Sequence, residues 1–323
     1  MKKLLVIVGP TGTGKTNLAL KLAEEFGGEI ISADSRQVYK GMDIGTGKEI
    51  SSPKIKIKKS NGAWVVNDVP IYLYDLIEPN KNFSVVEYQQ LAYKKIHEIH
   101  EKNKSLRDLP SSEVKLPILV GGTGLYVRAV VQGLKVPGVA PDKRLRRKLE
   151  KRPLGSLLEE LEKVDQKAYM KIDKSNPRRI IRALEVYYKT GKTISSLQKK
   201  YQPDFEILQI GLTAPREVLY QKADSRIDSW FNIGFVEEVE SLLKKYPEDL
   251  PSMSSLGYRQ ISSYLKKCIS LEEAIRRIKF DHHGFIRRQV TWFKKEPDIH
   301  WFDVSGTGFE KEVIAVTKQW LRD

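Results

Sequence analysis

The sequence predicts an α/β fold in which a parallel sheet is interrupted by a helical insertion. Three observations support this prediction. Strand and helix signals alternate from residue 1 to about 127, as they do in parallel α/β domains. The following segment, up to residue 205, has helical spacing and is rich in Lys and Arg, and strand signals return at residue 206. We therefore predict an α/β core formed by residues 1–127 and 206–323, with an insertion at 128–205.

A glycine-rich segment follows the first predicted strand. Residues 9–16 read GPTGTGKT, which matches the phosphate-binding loop pattern GxxxxGK(S/T). Leu18, Leu22 and Phe26 lie at helical spacing after it, and a glycine pair predicts the end of that helix. Glycines let backbone N–H groups converge on a phosphate, and the helix dipole adds positive potential there. The segment predicts a P-loop NTPase-like core that binds a di- or triphosphate.

The other elements of the core follow from apolar runs and from helical spacing. Residues 54–58 alternate Lys and Ile, and together with a turn at Asn61-Gly62 and the run 63–66 they predict an exposed β-hairpin. The remaining predictions are strands at 29–33, 116–120, 206–212 and near 300–304, and a helix at 83–100. This order of elements is typical of an open parallel α/β sheet.

Two helices are predicted within the insertion. Leucines between residues 154 and 161 have helical spacing. A second helix is predicted to begin at Asn176-Pro177, an N-cap followed by proline at the first helical position, and to end at a Gly191 cap.

The excess positive charge of the chain is concentrated in this insertion. The whole chain has a net charge of +15 and a pI near 9.5. Residues 128–205 contain 20 Lys or Arg against nine Asp or Glu, a net charge of +11. Arg178, Arg179 and Arg182 are three and four residues apart, so they share a helix face. This concentration favours a nucleic-acid partner over a merely solvated surface.

Cysteine content and hydropathy exclude several classes of protein. Cys268 is the only cysteine among the 323 residues, so neither a disulfide framework nor a cysteine-based zinc site is available. The N-terminus lacks a signal-peptide pattern, because its apolar run leads directly into the glycine-rich segment. No apolar stretch reaches transmembrane length. We therefore expect a cytoplasmic protein without membrane contact.

Side chains that follow predicted strands are candidates for catalysis, because parallel strands bring their carboxyl ends together. Asp34 follows the second strand, and Thr123 follows the strand at 116–120, which ends in glycines. An ATPase needs a carboxylate beside the phosphate-binding loop. The strand at 116–120 provides no such carboxylate, although Asp75 could take its place. Asp34 is the better candidate for an acid or base, with a capping or turn role as an equal alternative.

Six segments occur in an order that resembles one known family. They are GPTGTGKT (9–16), ISADSRQVYKGMDIGTGK (31–48), LPILVGGTGLY (116–126), NPRRIIRALEVYYKTGKT (176–193), LGYRQ (256–260) and RRQVTWF (287–293). Over nearly its whole length the chain resembles the bacterial-type tRNA dimethylallyltransferases, or isopentenyl-tRNA transferases. It departs from the family pattern at 71–75, where the family has a strand similar to His-His-Leu-Ile-Asp, and in an additional polar stretch at 104–115.

The resemblance implies prenyl transfer. The family transfers a dimethylallyl group from dimethylallyl diphosphate to N6 of the adenosine immediately 3′ of the anticodon in tRNA. The loop then holds the diphosphate leaving group, which explains the missing carboxylate. Asp34 would accept the N6 proton and orient the amine. Thr123 would be a second catalytic residue near the reacting centre, although turn capping is the simpler interpretation of that threonine.

The resemblance also implies binding residues and partners. For the diphosphate they are Gly9, Pro10, Thr11, Gly12, Thr13, Gly14, Lys15, Thr16 and Arg226, with Mg²⁺ held at Thr16. For the anticodon stem-loop of tRNA they are Ser35, Arg36, Gln37, Arg146, Arg178, Arg179, Ile180, Ile181 and Arg182. The target base is expected to leave its stack to reach a buried diphosphate. We expect the enzyme to be a monomer.

Other functions share part of this pattern. A small-molecule kinase would use the loop and Asp34 but would not need the basic insertion. An enzyme that prenylates free adenine nucleotides is a closer alternative. A nucleotide-gated RNA-binding module would explain the charge, but it would leave Asp34 and Thr123 without a role.

Overall fold

The computed structural model describes residues 2–48, 56–104, 115–135, 137–197 and 199–323. The chain divides into two compact units. Unit 1 comprises Met1–Val127 and Asp204–Asp323, and unit 2 comprises Arg128–Pro203. The insertion predicted at 128–205 begins at the same residue as unit 2 and ends two residues later.

The described residues form ten strands. They are β1 (Lys3–Val8), β2 (Glu29–Ser32), β3 (Ile57–Ser60), β4 (Gly62–Val66), β5 (Val69–Tyr74), β6 (Pro117–Gly121), β7 (Leu134–Lys135), β8 (Lys199–Lys200), β9 (Glu206–Thr213) and β10 (Ile299–Asp303). Eight of them make one sheet in unit 1, in the order β10-β9-β1-β6-β2-β5-β4-β3. The first six strands of that order run parallel, and β4 and β3 form an antiparallel edge. The predicted parallel α/β core is confirmed.

The described part of the chain also contains thirteen helices. They are α1 (Lys15–Phe26), α2 (Val85–Lys104), α3 (Gly124–Val131), α4 (Lys143–Glu150), α5 (Leu154–Val164), α6 (Gln166–Lys171), α7 (Pro177–Thr190), α8 (Ile194–Leu197), α9 (Arg216–Asn232), α10 (Phe235–Leu243), α11 (Tyr258–Leu265), α12 (Leu271–Phe293) and α13 (Phe309–Arg322). Helices α4 to α8 belong to unit 2, and the first boundary between the units falls within α3. None of these helices is long and apolar enough to cross a lipid bilayer.

Local sequence signals fix several of these elements as predicted. Helix α7 starts after the Asn176 cap and stops at Gly191, whose φ of 66° is the left-handed conformation that glycine adopts at low cost. Strands β3 and β4 form the predicted hairpin around Asn61-Gly62. Lys54 and Ile55, which the prediction included in that hairpin, lie outside the described residues.

Two large apolar cores lie in the described part of unit 1, beside a smaller cluster around Ile286. Helices α1 and α13 pack with the sheet in the first, where side chains such as Leu18 and Leu22 are almost fully buried. The loop after β2 packs with α9 to α12 in the second, around Phe235 and Tyr258. Burial of one such side chain contributes roughly 1.5–3 kcal/mol. Together the two cores give the carboxyl ends of β1, β2, β5 and β6 a rigid support.

The end of β5 is backbone-strained. Leu73 and Asp75 have φ values of 68° and 53°, a left-handed region that costs residues with a side chain of order 1–3 kcal/mol each. Buried contacts hold this conformation. The Lys48 ammonium, which is fully buried, lies 2.5 Å from an Asp75 carboxylate oxygen and 2.7 Å from Asp43, and the Trp64 indole N–H donates to Asp75 at 2.6 Å.

Candidate active site

The carboxyl ends of β1, β2 and β6 meet at one edge of the sheet because the three strands are adjacent and parallel. The loop at 9–16 follows β1, Asp34 follows β2, and Gly122-Thr123 follows β6. A cavity of about 420 Å³ is lined by this loop, by Asp34 and by Arg226. The structure therefore brings together the predicted diphosphate-binding loop and the predicted catalytic carboxylate.

The loop adopts backbone conformations that explain its glycines. Gly12 and Gly14 have φ values of 91° and 78°, and Gly14 caps the N-terminus of α1. The Lys15 ammonium donates to the Pro10 carbonyl at 2.8 Å. Burial lowers the pKa of Lys15 to about 7, with Asp34 opposing and Arg226 assisting the shift. An anion bound in the loop would restore the positive charge of this lysine.

Asp34 accepts a hydrogen bond from the backbone N–H of Arg36 at 2.8 Å. Burial raises the pKa of Asp34, and the N–H groups of Arg36 and Gln37 and the charges of Arg36 and Lys15 oppose this shift. A carboxylate with a raised pKa, in the same cavity as a cation, is suited to accept a proton from a bound substrate. The turn role that the sequence allowed is therefore combined with a position in the cavity.

No carboxylate can stand at the end of β6. A Cβ on Gly121 would lie 2.2 Å from the Ala33 carbonyl oxygen, because β2 and β6 approach closely there. Asp75, the alternative, is bound by Lys48 and Trp64. Within the described ranges, no group of three or more His, Cys, Asp or Glu side chains is arranged to hold a metal ion.

Arg226 and Gln289 connect this cavity to a second one of about 510 Å³, which both of them also line. The Arg226 guanidinium lies 5.8 Å from the ring centroid of Trp230. Gln289 accepts from the Thr11 N–H at 2.9 Å and donates to the Gly122 carbonyl at 3.0 Å. Gln289 thus fixes the loop against the end of β6. The sequence offered only its place in the motif RRQVTWF as a signal.

Thr123 lies in the second cavity beside the Asp34 segment. Its hydroxyl accepts from the backbone N–H of Ser35 at 3.1 Å, and its own N–H donates to the Ala33 carbonyl at 3.2 Å. These contacts tie the loop after β6 to the residues on either side of Asp34. Both contacts agree with the interpretation of Thr123 as a turn-capping residue. Because they hold the residues on either side of Asp34, they also help to position Asp34.

The three residues after Asp34 have different surroundings. Ser35 and Arg36 line the second cavity, and the Arg36 guanidinium donates to the Pro251 carbonyl at 2.8 Å. Gln37 instead accepts from Ser32 at 2.7 Å and donates to the Thr46 carbonyl at 3.2 Å, inside the first cavity. Both ends of its amide are used within the protein, so Gln37 forms part of the wall of the first cavity, and its contact with tRNA stays a prediction.

Unit 2 contains a buried carboxylate that binds two arginines of the predicted RNA-binding set. Glu185 is fully buried and accepts from the Arg146 guanidinium at 2.7 and 2.8 Å, from Arg182 at 2.6 Å and from the Asp142 N–H at 2.7 Å. Arg182 also donates to the Val139 carbonyl at 2.8 Å. The guanidinium groups of Arg146 and Arg182 therefore hold unit 2 together, and their contact with RNA stays a prediction.

The two isoleucines of that set are core residues. Ile180 and Ile181 are 0% and 5% exposed and pack with Leu157, Leu161 and Leu184. Helical periodicity turns them away from the exposed face of α7, so their side chains cannot contact RNA.

Arg178 and Arg179 differ from their neighbours on α7. Both side chains are exposed, and neither makes a hydrogen bond or ion pair with any other described residue. They remain available for an external polyanion.

Replacing Arg182 with alanine should lower the stability of unit 2, because Glu185 stays buried with fewer partners. Burial alone would raise the pKa of Glu185, but hydrogen bonds from Arg146, the Asp142 N–H and Arg182 lower it to about 2. Hydrogen bonds to charged groups contribute roughly 1.5–3 kcal/mol. We expect a loss of that size in denaturant unfolding at pH 7.

The same network predicts the pH dependence of stability. Because the pKa of Glu185 is depressed in the folded state, its contribution is present above pH 4.5 and disappears as the pH falls towards 2. Arg179→Ala serves as the control and should unfold like the original protein. Equal unfolding curves for the Arg182 and Arg179 variants would contradict the assigned role of Arg182.

Comparison with known proteins identifies relatives across the whole chain. Residues 37–296 match the family described as IPP transferase, and residues 2–71 match the family described as isopentenyl transferase. The tRNA dimethylallyltransferase of Dehalococcoides mccartyi is 42% identical over 99% of this chain and 93% of that protein. The tRNA dimethylallyltransferase of Dictyoglomus turgidum is 43% identical over 94% of this chain and 87% of that protein.

Solved structures give the same result. The tRNA isopentenylpyrophosphate transferase from Bacillus halodurans has a TM-score of 0.69 and 35% identity, covering 99% of this chain and 96% of that one. A eukaryotic dimethylallyltransferase acting on tRNA has a TM-score of 0.78 and 25% identity, covering 100% of this chain and 80% of that one.

Proposed function

The chain belongs to the tRNA dimethylallyltransferase family, and we propose that its cavity at the strand ends transfers a dimethylallyl group from dimethylallyl diphosphate to tRNA. The acceptor is N6 of the adenosine immediately 3′ of the anticodon, and the products are N6-dimethylallyladenosine and diphosphate. One observation carries this proposal. The phosphate-binding loop shares its cavity with Asp34, while the end of β6 has no space for the carboxylate that an ATPase would need there.

The reaction breaks the C–O bond between the dimethylallyl group and the diphosphate and forms an N–C bond to the acceptor. Lys15, Arg226 and the loop N–H groups stabilise the negative charge that develops on the leaving group. Asp34 accepts the proton that the N6 amine loses. Its raised pKa and its place in both cavities support this assignment.

The residues around the loop fit a Mg²⁺ ion that arrives with the diphosphate. Thr16 is the second residue of α1, directly after Lys15, and offers a hydroxyl ligand. Mg²⁺ keeps several waters and takes its other ligands from substrate phosphates in many enzymes, so a cage of carboxylates is not required. When bound, the ion would neutralise part of the diphosphate charge.

The second cavity is the proposed place of the flipped adenine. Its lining combines Asp34 and Thr123 with the apolar side chains of Leu125, Phe285 and Trp292. A base extruded from a stack needs an apolar surface and a polar group at its edge. Since the anticodon loop is single-stranded, the cost of extrusion is low.

One chain supplies all of these residues, which supports a monomeric enzyme. The single exposed thiol of Cys268 supports a cytoplasmic enzyme.

The experiment that tests this function offers several acceptors to one labelled donor. The protein is incubated with labelled dimethylallyl diphosphate and Mg²⁺, and with tRNA, AMP or ATP in parallel reactions. We expect label in tRNA alone and release of one diphosphate per transfer. Label in AMP or ATP would favour a nucleotide prenyltransferase, and release of ADP would favour a kinase.

Changing Arg178 and Arg179 together to alanine should weaken tRNA binding and flatten its dependence on salt. Each lost phosphate contact lowers the slope of log K against log salt by ~0.7–0.9. Affinity for dimethylallyl diphosphate should stay the same, because that site is built from unit 1. The measurement is tRNA affinity at several salt concentrations, together with the melting temperature.

Lys167→Ala combined with Lys171→Ala is the matched control. Both lysines are exposed on α6 of the same unit, and replacing them removes the same amount of positive charge. An equal change of slope in both double variants would assign the effect to net charge. An unchanged slope in the Arg178/Arg179 variant would remove α7 from the RNA-binding surface.

A further inference from the structure

Tyr74 lines the cavity that contains the phosphate-binding loop, and the reaction described above does not use it. It is the last residue of β5 and is 2% exposed. Tyr74 also lies in the segment 71–75, where the sequence departs from the pattern of the family it resembles.

The strained backbone explains how this side chain reaches the cavity. Alternate residues of a regular strand face the same side, so Tyr72 and Tyr74 would lie together. They do not: the Tyr72 hydroxyl donates to Glu29 at 2.8 Å, while Tyr74 lines the cavity together with Ile71. The left-handed conformation of Leu73 lies between them and accounts for the change of side.

Tyr74 is held firmly in this position. Its ring contacts Trp64 edge to face, with centroids 5.4 Å apart and planes at 88°. Trp64 is itself fully buried and donates to Asp75, which Lys48 also binds. Backbone strain kept in place by buried ionic contacts is characteristic of functional positions.

The hydroxyl group of Tyr74 lies in a charged environment and is neutral. Burial and the Asp34 carboxylate raise the pKa of Tyr74, and Arg226 opposes them. Among the described residues, no side chain or backbone group forms a hydrogen bond with this hydroxyl. A nearly buried donor in a cavity with a cationic lining has an anionic ligand as its natural partner.

We propose that Tyr74 is a further substrate-binding residue, whose hydroxyl donates a hydrogen bond to a diphosphate oxygen in the cavity of the loop. This inference rests on the proposed function, because it takes the cavity to hold a diphosphate. Tyr74 lines the cavity of the loop and not the second cavity, so the leaving group and not the acceptor base is its partner.

The test is the affinity of Tyr74→Phe for inorganic diphosphate, measured by titration calorimetry with Mg²⁺. The phenyl ring keeps the contact with Trp64, so the melting temperature should not change. A lost hydrogen bond to a charged group predicts a dissociation constant about 10-fold higher or more. The KM for dimethylallyl diphosphate should rise by a similar factor, with a smaller change in kcat.

Tyr72→Phe is the matched control, because it removes a hydroxyl from the same strand but outside the cavity. Its affinity for diphosphate should equal that of the original protein. Lys15→Ala separates the two proposals: unchanged affinity in that variant would overturn the proposed diphosphate site itself. Weakened binding in Lys15→Ala with unchanged binding in Tyr74→Phe would overturn only the role of Tyr74. An altered pH profile with unchanged diphosphate affinity would also overturn it, in favour of a contact with Asp34.

Discussion

Replacing Asp34 with alanine is expected to lower the rate of transfer to tRNA by ~10²–10⁴-fold, the usual effect of losing a general base. Asp34 lies in the cavity of the phosphate-binding loop, but the loop itself supplies the anion-binding groups. The affinity for diphosphate should therefore change little. Single-turnover transfer and calorimetry with inorganic diphosphate measure the two quantities separately.

The pH dependence of the rate gives an independent check. Because burial raises the pKa of Asp34, the rate should fall on the acid side at a higher pH than an ordinary aspartate would give. Asp34→Asn keeps the shape of the side chain and its contact with the Arg36 N–H, so it isolates the loss of the base. Turnover close to that of the original protein in either variant would remove Asp34 from the reaction.

Replacing Lys15 with alanine should affect binding and chemistry together. The ammonium group interacts with the diphosphate in the ground state and with the additional charge that develops as the C–O bond breaks. We expect a dissociation constant for diphosphate at least 10-fold higher and a kcat ~10²-fold lower. Lys21→Ala is the matched control and should leave both quantities unchanged, since this lysine is exposed on α1 outside the cavity.

Lys15→Arg extends this prediction to pH. The pKa of Lys15 is about 7, so the free protein loses this positive charge as the pH rises above 7 and binds diphosphate less tightly. Arginine remains charged over this range, so any binding by Lys15→Arg should lose that component of the pH dependence. If Lys15→Ala leaves both affinity and rate unchanged, the loop does not hold the diphosphate.

The features that could be predicted from the sequence rest on local signals. The cap residues of α7 are adjacent to the helix they limit, and the glycines of the loop identify its backbone conformation directly. The apolar runs of β1, β2 and β6 are buried on both faces, which reveals them without knowledge of their neighbours. Asp34 could be predicted because it directly follows such a run.

The features that could not be predicted depend on distant contacts. Gln289 and Thr11 are 278 residues apart, and Arg146 and Glu185 are 39 apart. Arg182 has Glu185 three residues after it, but only the fold shows that this carboxylate is buried and shared with Arg146. Tyr74 is a stronger example, since the alternation of β5 predicts the wrong side and only the left-handed Leu73 corrects it.

The pairing of β1 with β9 affects how the chain can fold during synthesis. β1 contains the first described strand residues to leave the ribosome, yet one of its two neighbours in the sheet begins at Glu206. The loop after β1 thus cannot acquire its final surroundings until the whole of unit 2 has been translated. We expect unit 2, whose contacts are local, to become compact while the β9 side of β1 is still an open sheet edge.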